Sequence, residues 1–375
     1  MTIFRLGFRK RALTALLVMT AFSAAACAPS GDDGATGEQV EALGSFGSWT
    51  SIPGRTLFEP PALAKAGTST LNAFAASNTL RSGLQIFNTA ENVTGGWSGT
   101  WTQISSSFNS PPIASRPAAV GFQVFSGPLI NRFAIVVKRT DNQYYIRIQD
   151  QGAVNVLLNW TAMPLSLPSG VSFESAPAVT FVPSSSVTEP KNSLVVAGLG
   201  TDGRIWAFRN TLQSGNAYSN SAWTSLGPVP IAGFDSAPAL TFAAPSFVGQ
   251  PSIVMASGVV NAQDFIDFRF TLFNGSGWLP WTNVTTGIFS SGPALATGSA
   301  PADGGLPSSE VTFYGLGTDA RVWVARLVNG VVGGFSPIGT QTFHGNPAAF
   351  GIGAFARVTA LDASNVGVMN LASSP

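Results

Sequence analysis

Gly200-Thr201-Asp202-Gly203-Arg204-Ile205-Trp206 leads on to Trp223-Thr224-Ser225-Leu226 and then to Pro238-Ala239. The first piece is a hairpin signal, because Gly accepts positive φ and Asp bonds to nearby backbone. Alternation beyond the turn puts Arg204 and Trp206 on one face of a strand. Gly317-Thr318-Asp319-Ala320-Arg321-Val322-Trp323 is a near copy, with Arg321 and Trp323 in the same places. The copy shows that this unit repeats.

Working outward, two markers alternate along the chain. An aromatic, a hydroxyl residue and an apolar residue two further on recur as Trp49-Thr50-Ser51-Ile52, Trp101-Thr102-Gln103-Ile104 and Trp160-Thr161-Ala162-Met163. They recur again as Trp223-Thr224-Ser225-Leu226, Trp281-Thr282-Asn283-Val284 and Phe335-Ser336-Pro337-Ile338. Pro-Ala follows each aromatic by 12 to 17 residues, at Pro61, Pro117, Pro177, Pro238, Pro293 and Pro347. Pro61 to Pro347 is 286 residues in five steps, a period of about 57.

Inside each period the pattern is strand-like. A short apolar run such as Ala178-Val179-Thr180-Phe181 precedes a β-rich run such as Leu194-Val195-Val196-Ala197. A turn, an alternating run such as Tyr145-Ile146-Arg147-Ile148 and the Trp-Thr segment complete the unit. Four strands per unit make one propeller blade. The fold begins at Trp49, the last strand of a unit, and stops after Pro347-Ala348 without a closing aromatic. Joining residues 44–52 to the C-terminal unit therefore completes a sixth blade and removes free sheet edges. The expected class is an all-β, six-bladed propeller of four-stranded antiparallel blades over residues 46–375.

Residues 1–26 read as an export signal. Arg5, Arg9, Lys10 and Arg11 precede an apolar stretch, Ala12 to Ala26, too short to span a bilayer. Ala24-Ala25-Ala26-Cys27 is similar to a bacterial lipobox, which marks Cys27, the sole cysteine, for lipidation. Residues 27–45 are a flexible tether rich in Gly and Asp. Such a chain is anchored to the cell envelope through lipid alone. The resemblance and the Ala28 that follows Cys27 favour the outer membrane where the host has one.

Loss of the signal's four cations leaves 15 basic against 18 acidic residues, a net of −3. That charge gives nucleic acid no basic field to bind. No cofactor is expected, and a monomer is. His344 is the only histidine, placed in the solvated loop before Pro347, so a nucleophilic site would rest on one ring. Zinc would lack its usual His and Cys ligands, and no metal site is expected. Glu59, Glu91, Glu174 and Glu310 sit at loops without the common pattern that paired catalytic carboxylates would need. An enzyme is not expected.

The order Gly-Thr-Asp-Gly-x-x-Trp, Trp-Thr-x-Leu-Gly and Ser-x-Pro-Ala resembles the bacterial propeller lectins of the Photorhabdus type. It is more distantly similar to the fungal six-bladed fucose lectins. The resemblance spans roughly residues 45–375, best over Leu194–Ala239 and Glu310–Ala348. It implies sugar binding in clefts between blades, an aromatic platform beneath the sugar and polar side chains on its hydroxyls. Carried over, it points to Arg204 with Trp206, Arg321 with Trp323, and more weakly to Trp223 and Trp281. A blade tryptophan also packs between sheets, and the recurrence of the closing Trp-Thr suits packing. The expected partner is a glycan; the alternative is a surface protein held on a scaffolding propeller.

Overall fold

The computed structural model describes residues 48–373, except 68–69, 80–82, 93–95, 105–110, 126–128, 151–159, 164–166, 184–192, 213–217, 221, 227–232, 244–251, 262, 274–276, 285–288, 299–309, 329 and 353–354. The export signal, Cys27 and the tether lie outside the described residues.

Six antiparallel sheets form the ring. The first blade runs Ala62–Ala64, Asn72–Thr79, Gly83–Ala90 and Thr102–Gln103, from the inner strand outward. The third runs Ala178–Val182, Ser193–Leu199 and Ile205–Leu212, with its outer strand split into Tyr218–Asn220 and Thr224–Ser225. The sixth blade takes its inner three strands, His344–Ile352, Phe355–Leu361 and Gly367–Ser373, from the C-terminal part of the chain. Its outer strand is Thr50–Ile52, paired antiparallel with Gly367–Met369. The ring is thus closed as the sequence predicts, by a strand from the start of the fold. No helix occurs among the described residues.

The inner strands pack side by side around the axis, and Ala62–Ala64 meets His344–Ile352 to complete the circle. The Pro-Ala pairs of five blades, with Ala62 of the first, line the central channel, a cavity of about 80 Å³. Small side chains at these positions let six strands approach one axis. The second strands supply the core. Every residue of Ser193–Leu199 is buried, because alternate side chains enter opposite inter-blade cores. Leu194 and Val196 pack toward the second blade, while Val195 and Ala197 pack toward the fourth.

The remaining markers also have structural work. In Ser-x-Pro-Ala the serine hydroxyl staples the loop to the second strand of the same blade. Ser115, Ser175, Ser236 and Ser291 each accept a backbone N–H at 2.8–3.0 Å, from Lys138, Leu199, Gly258 and Leu316. Each also donates to the carbonyl of the residue that follows it. The closing aromatic packs on an apolar residue four positions before its blade's Pro-Ala. Trp49 meets Phe343, Trp223 meets Phe173, Trp281 meets Phe234, and Phe335 meets Phe289, at 4.3–4.8 Å between ring centroids. In the first two blades Trp101 packs with Leu57, and Trp160 with Ile113. This second apolar marker recurs as strictly as Pro-Ala.

Two expectations need correction. His344 opens an inner strand instead of lying in a loop, although it is exposed; its Nε2 is 2.7 Å from Asn365 Oδ1. Glu310 begins the strand Glu310–Leu316, and Glu91 is bridged to Trp97. Backbone pairing, which local composition does not reveal, decides both.

Candidate functional site

The hairpins after the second strands share one five-residue turn. Asp202, Asp319 and Asp141 each accept the backbone N–H two residues on, at 3.1–3.2 Å. The fourth residue of each turn has positive φ: Asn142, Gly203, Asp264, Ala320 and Asn365. The aspartate then takes the polar hydrogen of the aromatic four residues after it. Trp206 Nε1 donates to Asp202 at 3.2 Å, Trp323 Nε1 to Asp319 at 2.9 Å and Tyr145 Oη to Asp141 at 2.8 Å. Gly200 and Gly317 keep the indoles in place, since a Cβ there would stand 3.0 Å or less from the Trp206 or Trp323 ring. The Gly-Thr-Asp-x-x-x-Trp signature is therefore a device that folds an aromatic back onto its own turn.

This device determines where the candidate residues stand. Trp206 is buried with Phe208 and Trp223 in the core between the second and third blades. Arg204 is exposed, its Nε 4.0 Å from Asp202. Arg321 and Trp323 sit together, the guanidinium carbon 5.4 Å from the ring centroid and Nε 2.6 Å from Asp319 Oδ2. Burial raises the Asp319 pKa, but the Trp323 and Arg321 hydrogen bonds outweigh it and hold the carboxyl below its usual range. Trp223 is buried against Phe173. Trp281 is half-buried against Phe234 and donates Nε1 to Leu226 O of the preceding blade at 2.9 Å.

A larger cleft opens elsewhere, between the third and fourth blades. Its volume is about 390 Å³, within the range of small-molecule sites. Val195, Ala207 and Arg209 form one wall, and Ile253, Phe273 and Trp278 the other. Thr224 and Ser225 bring hydroxyls from the outer strand. Phe273 and Trp278 are inclined at 58° with centroids 5.4 Å apart, which makes an aromatic corner. The Arg209 guanidinium lies 5.9 Å from the Phe273 ring, and its Nε donates to Ser193 Oγ at 3.4 Å. Burial lowers the Arg209 pKa. Apart from Thr224 and Ser225, which belong to the Trp-Thr marker, these residues match no repeating marker, so the repeat gave no signal for them.

The seam between the sixth and first blades has the same register positions as this cleft. Glu91 and Trp97 are bridged as Phe273 and Trp278 are. Arg357 occupies the register position of Val195, four residues before the end of its strand, and Met369 that of Ala207. Arg357 Nη1 and Glu91 Oε1 are 2.8 Å apart, with 17% and 15% of their side chains exposed. Arg357 and Glu91 thus pair at the register positions that Val195 and Phe273 hold in the third–fourth cleft. At the channel mouth Arg116 plays a similar part. It donates to Asn346 O at 2.8 Å and lies 3.6 Å from Glu59 Oε2, tying the second blade to the sixth across the first.

No group of three His, Cys, Asp or Glu side chains that could hold a metal comes together among the described residues. No protein-family model matches the sequence, and no curated protein sequence matches it. Among solved structures, the chain is similar to a triple arginine-to-alanine mutant of AofleA from Arthrobotrys oligospora: TM-score 0.56, 11% identity, 87% of this chain and 86% of that one. It is similar to the Aleuria aurantia lectin, described as a six-bladed β-propeller with a novel fucose recognition mode: TM-score 0.54, 16% identity, 84% and 93% of the chains. A mutant of that lectin with α-methyl-L-fucoside gives TM-score 0.52 at 16% identity, over 84% and 92%. At these identities the likeness is one of fold.

Proposed function

We propose that this protein is a lectin-like, non-catalytic propeller that binds carbohydrate in the cleft between its third and fourth blades. The observation that carries the reading is the cleft itself: an aromatic corner of Phe273 and Trp278, two hydroxyls and one guanidinium around about 390 Å³. A sugar needs that combination, because its C–H face stacks on aromatic rings while its hydroxyls need fixed donors and acceptors. The fold it shares with fungal fucose-binding lectins supports the same reading. The Arg321–Trp323 pair is a second, shallower position, where a half-buried indole lies beside an arginine. Lipid on Cys27 and the tether of residues 27–45 would hold the propeller at the cell envelope, with glycans or glycosylated surfaces as partners.

The test is a glycan-array screen of the purified protein. Saturable binding that Trp278→Ala abolishes, with Trp323→Ala reducing it less, is the expected result. A blank array from folded protein over a broad glycan set would overturn the proposal and turn attention to a protein partner. For the anchor, mass spectrometry of protein made in a bacterial host should find Cys27 acylated at a new N-terminus. An unmodified Cys27, or cleavage elsewhere, rejects that part.

A further inference from the structure

We infer that Arg55, at the seam between the sixth and first blades, is a binding site for a ligand carboxylate, which a sugar acid or a simple organic acid can present. The site shares no residue with the third–fourth cleft and is independent of the reading proposed there. Arg55 lies in the loop that joins Thr50–Ile52, the closing strand of the sixth blade, to Ala62–Ala64, the inner strand of the first. That loop is held from both sides. Gly54 has φ 95°, and a Cβ there would collide with Gly99 O, so the two backbones touch. Trp101 Nε1 donates to Pro53 O at 2.8 Å, and the Leu57 N–H to Asn365 O of the sixth blade at 2.9 Å. The Arg55 guanidinium carbon lies over the Phe87 ring, 3.3 Å from its centroid, which fixes the cation against an aromatic face.

This cation has no acceptor among the described residues. Its Nε is buried without a hydrogen-bond partner, while the two Nη groups reach solvent. Between Pro53 and Ile104 the chain has two carboxylates, Glu59 and Glu91. Other arginines hold both: Glu59 lies 3.6 Å from Arg116, and Glu91 2.8 Å from Arg357. In the sixth-blade turn that binds Leu57, Asp362 Oδ1 accepts the N–H groups of Ser364 and Val366. Burial lowers the Arg55 pKa, and no neighbouring charge offsets it. A ligand carboxylate would offset it, because its two oxygens match the free Nη edge of the guanidinium in charge-assisted bonds.

Two other blades show the same pair with its anion in place. Phe87, Tyr145 and Trp323 hold one register position, each opposite the second residue after its blade's closing aromatic. The Arg139 guanidinium lies 3.9 Å from the Tyr145 ring centroid, and that of Arg321 5.4 Å from the Trp323 centroid. In both blades an aspartate of the turn acts on the cation. The Asp141 charge raises the Arg139 pKa, and Asp319 Oδ2 is 2.6 Å from Arg321 Nε. The first blade repeats the cation on its ring, yet its chain has no acidic residue from Ser77 to Ala90. A ligand carboxylate would stand where the other blades use an aspartate. Trp101 is half-buried and meets Pro53 and Leu57, on either side of Arg55 in the chain, so a sugar ring that carries the acid has an aromatic neighbour there.

The experiment follows the Trp101 indole N–H by NMR on the purified, ¹⁵N-labelled protein at matched ionic strength. The probes are methyl β-D-glucuronide, its neutral partner methyl β-D-glucoside, and acetate. The glucuronide should shift the signal saturably and bind about ten-fold or more tighter than the glucoside. Arg55→Gln should abolish the shift. Arg55→Lys keeps the charge without the planar fork and should weaken binding about three-fold or more. Trp278→Ala should change nothing. Acetate bound as tightly as the glucuronide supports a site for simple acids, and acetate bound more weakly supports one for sugar acids. No shift with either acid, equal affinity for glucuronide and glucoside, or acid binding that survives Arg55→Gln overturns the inference. So does acid binding that Trp278→Ala removes. If Arg55→Gln does not fold, Arg55→Lys decides, and unchanged affinity in it overturns the inference. Each of these failures leaves the glycan-array test of the third–fourth cleft standing, and a blank array leaves Arg55 to its own test.

Discussion

Ala320 shows most directly what one residue costs. It stands at φ 60° in the turn where the near-copy hairpin has Gly203 at φ 72°. A Cβ on Gly203 would meet only Gly233 Cα, at an ordinary 3.6 Å, so the difference between the two turns is conformational rather than steric. A left-handed conformation costs an L-residue about 1–2 kcal/mol, and glycine gives back part of this through its freer unfolded state. Ala320→Gly should therefore raise stability by about 0.5–1 kcal/mol in urea unfolding; a loss of stability would show that Ala320 is not strained. Asp319 supplies a pH prediction. Its folded pKa lies below the unfolded value, so its contribution is complete above the unfolded pKa and is lost as pH falls through the folded one. The stability gap between the parent and Asp319→Asn should be flat at neutral pH and shrink below about pH 4. A gap that is constant with pH would refute this role.

Among the elements, the loop that leads into the inner strand repeats closely from the second to the fifth blade. Ser291 is 3% exposed, accepts the Leu316 N–H at 2.9 Å and donates to Gly292 O at 2.9 Å. Removing the hydroxyl leaves a buried amide without its acceptor, which costs about 1–3 kcal/mol. Ser291→Ala should lower the urea midpoint accordingly, and an unchanged midpoint would mean that water replaces the hydroxyl. Blades that lost the Arg–aromatic pair kept the turn beneath it. Asn261 Oδ1 accepts from Gln263 and Phe265, and Asp362 Oδ1 from Ser364 and Val366. The hairpin turn thus forms with or without an aromatic folded back onto it. Trp206 over its turn and Trp223 in the closing strand both lie buried between blades.

Over the whole molecule, apolar side chains meet at the blade junctions, and at the seam where the ring closes Ile52 and Met369 meet Leu63, Leu71 and Trp97. At the seam a three-residue strand closes the sixth sheet, and Arg357–Glu91 and the Arg116 contacts reinforce it. Breaking a largely buried pair on one side leaves a charge uncompensated, at about 3–5 kcal/mol. Glu91→Ala should therefore destabilise the propeller strongly. Replacing both Glu91 and Arg357 by Met should cost far less, as measured by thermal unfolding. A double variant as unstable as Glu91→Ala would show that the pair's charge is itself required. Opening the seam exposes the apolar faces of two blades, so the single variant should also aggregate on heating.

The sequence by itself determined the architecture. Short-range physics writes it into the chain many times over: Asp-containing turns, alternation, a serine before four of the six Pro-Ala pairs and an aromatic closing each unit at a period of about 57. A repeat averages out local noise, so six blades and the closing strand are legible in the chain itself. The cleft was not. Arg209 and Ser225 come from one blade and Phe273 and Trp278 from the next, and they share no spacing that a repeat would display. Whether facing positions hold a guanidinium beside a ring, as here, or a closed ion pair, as at Arg357 and Glu91, depends on which side chains two blades bring together. Residues far apart in the chain become neighbours only when the ring closes, and only the tertiary structure decides which clefts stay open.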